Sequence, residues 1–115
     1  MECWCDASWQ SEPDSGSRTG FAVSVGPRAA MVAVYSKVQS FATLSSQHAE
    51  NVALTEAVRM VRHVRMLLED MGFPQKVPTP VWEDNFGCIA FANGTSPLGK
   101  TKQVAHIFCP IMSIA

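Results

Sequence analysis

Three carboxylates, Asp6, Glu50 and Asp84, have the residue types and settings that suit chemistry. Asp84 follows Glu83 in "VWEDNFGCIAFANG", residues 81–94, where a short apolar strand runs into two acids and an Asn. Ionised groups resist leaving water, so carboxylates where a strand enters a core need a reason. Glu50 falls on the apolar stripe of a long helical pattern, and Asp6 interrupts the opening "MECWCDASW". Carboxylates gathered at one spot repel each other unless a cation sits among them, and their hard oxygens suit Mg2+ or Mn2+. Two such ions about 4 Å apart can activate a water, orient a phosphodiester and stabilise the leaving oxygen of an in-line displacement. The ordinary reading competes with this one. Asp84 can be an N-cap, Asp6 a strand-end residue at a turn and Glu50 a helix-start acid. Spacing alone favours the ordinary reading, because loose acid spacings are common by chance.

The elements that must position these acids follow from periodicity. Residues 1–9 alternate, with Cys3, Cys5 and Ala7 on one face and Trp4 and Asp6 on the other. A polar turn over 10–18 leads to a second strand at 19–25, with Phe21, Val23 and Val25 on one side. Gly26-Pro27-Arg28 then connects tightly into a third strand at 29–36, completing an antiparallel meander. From Gln47 to Met71 the period changes. Glu50, Ala53, Leu54, Ala57, Val61, Val64, Leu68 and Met71 recur at helical spacing, with Ser45 or Ser46 as N-cap and Gly72 as the stop. An extended segment over 77–83 precedes a second helix from about Asn85 to Asn93. A strand reached through a helix enters the same sheet by a right-handed crossover. It therefore lies parallel to the first strand, which brings Asp6 and Asp84 to corresponding strand ends facing Glu50.

A chain of 115 residues, 47% hydrophobic and 17% charged, has the composition of one globular domain with a modest core. Its net charge of -1 supplies no global basic field, so any nucleic-acid contact must be local. No apolar run is long enough for a signal peptide or a membrane span. Cys3, Cys5, Cys88 and Cys109 follow no zinc or disulfide spacing, which points to a reduced intracellular compartment, cytoplasm or nucleus. A cysteine-ligated metal module is the weakest of the functional readings.

Several motifs occur in order with compatible gaps. "CDASWQSEPDSGSRTGF" resembles the D-A-D-W opening of the ribonuclease H domain of copia-type LTR retrotransposon polyproteins. "YSKVQSFATLSSQHAENVALTEAVRMVRHVRMLLEDMGFP" resembles that family's S-K-K-Q and L-S-S-T-E-A-E-Y-I-A-L-S-E-A segment with its long helix. "VWEDNFGCIAFANG" resembles its C-D-N-Q-S-A-I-x-L-A-x-N, and "KTKQVAHI" its R-T-K-H-I-D-I. The likeness runs from about Cys3 to Ile107. It implies a ribonuclease H-like α/β fold: a mixed sheet, with a three-strand antiparallel meander plus a parallel strand, and packing helices. It also implies metal-dependent hydrolysis of the RNA strand in an RNA-DNA hybrid, alongside a reverse transcriptase segment of the parent polyprotein. The family's first three acids map onto Asp6, Glu50 and Asp84. Asp6 would be the central metal bridge, and Mg2+ or Mn2+ the cofactor.

The departures lie towards the end. Gln103 and Ala105 replace the family's His and Asp, and Pro110 argues against a long helix in "FCPIMSIA". On this reading, 1–115 is a single ribonuclease H-like domain incomplete at its C-terminus, with elements there missing or altered. The family's last strand and final acidic helix, the place for a fourth carboxylate, would be absent, leaving the 77–83 strand with a bare edge. The alternative function is a catalytically inactive remnant that binds nucleic acid or protein. Lys37, Arg59, Arg62 and Arg65 are the candidate phosphate contacts, although a basic stripe on a helix is more often a solvated face. Trp4, Trp9 and Trp82 read as core and rim aromatics, and His48 and His63 as surface residues.

Overall fold

In the computed structural model, which describes residues 1–10, 16–26, 29–94 and 112–114, alternation builds three consecutive strands. They are β1 (Glu2–Ser8), β2 (Arg18–Ser24) and β3 (Met31–Val38). β2 pairs antiparallel with both β1 and β3, as the meander requires. Cys3, Cys5, Phe21 and Val23 point inward, and the Phe21 and Tyr35 rings stack at 4.9 Å between paired strands. The third strand starts two residues later than the 29–36 expectation. Ala29 N–H donates to the Gly26 carbonyl at 3.0 Å and the Ser24 hydroxyl to the same oxygen at 2.7 Å, so the turn extends through Ala29. Val25 consequently lies beyond β2 and is exposed.

Helix α1 (Ser46–Asp70) begins where Ser45 caps it, its hydroxyl accepting from His48 N–H at 3.1 Å. Its buried residues include Glu50, Ala53, Leu54, Ala57, Val61 and Val64 of the expected stripe, joined by Ala49 and Val58. The helix stops at Gly72, whose φ of 89° is open to glycine without a Cβ penalty. Phe73 N–H donates to Leu68 O and Gly72 N–H to Glu69 O, the paired bonds of a left-handed helix end. Met71, expected on the inward stripe, is therefore exposed, because the chain turns away there.

Strand β4 (Thr79–Trp82) lies parallel to β1, with Cys3 opposite Val81 and Trp4 opposite Trp82. It is shorter than the 77–83 expectation, and Val77 is exposed before it. Helix α2 (Phe86–Ala92) follows, capped by the Asn85 side chain, which accepts from Cys88 N–H at 3.0 Å. Cys88 and Ala92, one turn apart, close the core against Cys3, Leu54, Val61 and Val81. The expected bare edge of β4 is corrected. A short strand β5 (Met112–Ile114) pairs parallel to it, giving the sheet order β3-β2-β1-β4-β5. Ile114 is buried, and the Asn93 side chain donates to its carbonyl at 3.4 Å, which ties the end of α2 to the new strand. Readings that concern residues 11–15, 27–28 and 95–111, including Gln103, Ala105, His106, Cys109 and Pro110, lie outside the described residues. Among the described residues no helix is long and apolar enough to cross a membrane.

Candidate metal centre

Each of the three acids reaches the site by a different local route. Asp6 sits on β1 next to buried Cys5, and its own side chain is exposed on the opposite face. Glu50 occupies the second turn of α1. Gln39 steadies that end of the helix, its Nε2 donating to Thr19 Oγ1 at 3.0 Å and to Ala49 O at 3.1 Å. Asp84 stands in the connection between β4 and α2, just before the Asn85 cap. The parallel pairing of β1 with β4 is what makes these positions neighbours.

One carboxylate oxygen from each of Asp6, Glu50 and Asp84 lies within 4.8 Å of the others. A divalent ion placed among these oxygens would be held by all three side chains and would offset their charge. Glu50 is the buried member, and Asp6 and Asp84 are exposed. Burial pushes the Glu50 carboxyl up to about 7, and the negative charges of Glu83, Asp6 and Asp84 push the same way. A hydrogen bond from the backbone of Ala7 opposes them. Its Oε2 is buried without a hydrogen-bond partner among the described residues. A buried acceptor left unmatched beside two further carboxylates suits a hard divalent cation. The donor set therefore fits a divalent cation that prefers oxygen ligands.

A second buried acid, Glu83, went unassigned in the sequence. Counting by twos from Val81 places it on the inward face, the signal that could have found it. Its Oε2 accepts from Cys5 Sγ at 3.3 Å and its Oε1 from Asn85 N–H at 3.1 Å. Burial raises its pKa, an effect the two bonds partly offset. Burial also raises the thiols of Cys3 and Cys88 to about 12, and that of Cys5 further, so all three stay protonated, Cys3 and Cys88 as packing groups and Cys5 as the donor to Glu83.

The basic candidates do not converge on the acids. Lys37 is exposed on β3, and Arg59 and Arg62 are exposed on α1. Arg59 lies nine residues beyond Glu50, which by helical period is the far side of α1. Arg65 has another task. Its guanidinium donates to Val77 O at 2.9 Å, Thr79 Oγ1 at 2.8 Å and Gln75 O at 2.6 Å, binding α1 to the approach of β4. Trp4 and Trp82 belong to the rim rather than the core, 39% and 44% exposed, and line an open depression with Cys5, Asp6, Glu83 and Asp84. Trp9 is likewise exposed, its indole donating to Thr43 O at 3.3 Å. His63 is exposed as expected, whereas His48 is half-buried, with Nδ1 accepting from Leu44 N–H at 3.3 Å.

No protein-family profile matches the chain. Two solved structures of LC11-RNase H1, isolated from compost by a metagenomic approach, are similar in fold. One superposes with a TM-score of 0.70 at 16% identity over 98% of this chain and 80% of that one. The other, LC11-RNase H1 in complex with RNA/DNA hybrid, gives 0.68 at 13% identity over 98% and 81%. At such identity the likeness speaks for architecture. With its antiparallel meander, parallel fourth strand and packing helices, the chain has a ribonuclease H-like fold.

Proposed function

We propose that this chain is a metal-dependent endoribonuclease that hydrolyses the RNA strand of RNA-DNA hybrids, derived from a copia-type retrotransposon polyprotein. The observation that carries the reading is the convergence of Asp6, Glu50 and Asp84, with the orphaned Glu50 oxygen, at the junction of β1, α1 and β4. The ordered sequence motifs support the retrotransposon origin, and with it a reverse transcriptase segment as partner and an intracellular setting. The structural neighbour solved with RNA/DNA hybrid supports the substrate class. Asp6 and Asp84 would hold Mg2+ or Mn2+ from the exposed side and Glu50 from the buried side. When bound, such ions supply an activated water and a counter-charge for the leaving oxygen. Lys37, Arg59 and Arg62 are the proposed phosphate contacts, and a hybrid is read by shape and 2′-hydroxyls without base-specific motifs.

The test is cleavage of a labelled RNA-DNA hybrid in Mg2+ or Mn2+ by the native chain and by Asp84→Asn. The expected loss exceeds about 100-fold, above the roughly 10–100-fold typical of groups one layer further out. A folded native protein that leaves the hybrid intact would overturn the enzymatic reading in favour of a non-catalytic remnant.

A further inference from the structure

We infer that Glu83 is a positioning residue for the carboxylate centre, setting the separation of Asp6 and Asp84 from the buried side of the sheet. The inference deepens the metal-dependent reading and rests on it. The backbone ladder between β1 and β4 ends at the pair Trp4 and Trp82. One residue further along each strand, a side-chain bond continues the connection, Cys5 Sγ donating to Glu83 Oε2 at 3.3 Å. The other oxygen of Glu83 accepts from Asn85 N–H at 3.1 Å. Cys5 directly precedes Asp6, and Asn85 directly follows Asp84. Glu83 thus joins the immediate neighbours of both aspartates through one buried, twice hydrogen-bonded carboxylate.

Glu83 is not one of the three clustered carboxylates, and each of its oxygens already faces a donor. Nor is it an inherited feature of the motif. In the C-D-N pattern that this segment resembles, the residue before the Asp is Cys, whereas here it is Glu83. A thiol cannot accept from two separated donors as a carboxylate can. A buried carboxylate beside other acids is costly unless hydrogen-bonded, and both bonds here lead to the flanks of the site. Mixed packing would not need that cost, but a centre requiring a fixed gap between two strand ends does.

Mn2+ titration followed by electron paramagnetic resonance tests this without using catalysis. Glu83→Ala should weaken Mn2+ binding by about 10–100-fold. Cys5→Ala removes the Sγ donor that faces Glu83 and, more weakly, Trp82 O at 3.7 Å, and should weaken binding by about tenfold, whereas Cys5→Ser, which keeps a donor, should restore it. The Cys5 pair decides the matter even where Glu83→Ala does not fold. Native-like affinity in Glu83→Ala, or equal affinity in Cys5→Ala and Cys5→Ser, would overturn the positioning role while leaving the metal centre intact. A native protein that binds no Mn2+ would overturn the metal-dependent reading itself.

Discussion

Glu50 and Val61 lie on the same buried stripe of α1, 7% and 0% exposed, yet the two ends of that stripe do opposite work. Around Val61, with Leu54, Ala57 and Val58, apolar side chains pack on Val23 and Val81 and stabilise the fold by leaving water. Around Glu50, burial raises the free energy of an ionised carboxylate that faces three other acids. One helix therefore holds the sheet with its middle and offers a strained acid with its beginning. A site built this way keeps its geometry because the apolar half carries the stability.

Substitutions at the two ends should differ in sign. Leu54→Ala, in the apolar half and 2% exposed, should destabilise the protein by about 2–5 kcal/mol in urea unfolding, by lost burial and a residual cavity. Little change there would mean that the core is not where packing places it. Glu50→Gln should act in the opposite direction, raising the melting temperature of the metal-free protein at pH 8 by several degrees while leaving pH 4 unaffected. The sign follows from the raised carboxyl. Its folded value of about 7 exceeds the ordinary 4.5, so stability is fully present below pH 4.5 and is lost as pH rises through 7. Glu83, raised in the same direction, adds to the slope. A melting temperature that is flat over this range in the native protein would break the contrast. The smallest effect belongs to the cap that starts the helix. Ser45→Ala should cost about 1 kcal/mol through the lost bond to His48 N–H, measured by thermal unfolding.

Much of this arrangement was legible in residue order. The helical stripe from Glu50 to Val64 and the meander follow from periods of 3.6 and 2, and the β1–β4 neighbourhood from the right-handed crossover. Topology allows Asp6, Glu50 and Asp84 to face one another, but spacing alone favours ordinary roles for them, and it is the family resemblance that marks them as a site. What stayed hidden depended on local bonds or on distant pairing. The β3 start moved because Ser24 and Ala29 close on Gly26, and Met71 left the core because Gly72 ends the helix in a left-handed turn. The edge pairing of Met112–Ile114 with β4 has no periodic signature in three residues. Arg65 looked like a phosphate ligand because charge is visible in sequence, but the carbonyl cage around it is not. Parity marks Glu83 as inward-facing, but its role depends on Cys5, 78 residues away, and leaves no local signature.

The most direct measurement of the central claim is thermal unfolding with and without Mn2+, at pH 5.5 and pH 8, in the native protein and in Glu50→Gln. A cation that completes the three carboxylates should raise the native melting temperature, more at pH 8 than at pH 5.5, because it relieves the repulsion that ionised Glu50 meets. In Glu50→Gln the shift should shrink at both values. A native melting temperature indifferent to Mn2+ at pH 8, or a shift of the same size in Glu50→Gln, would contradict the account, leaving three acids close together with no cation among them.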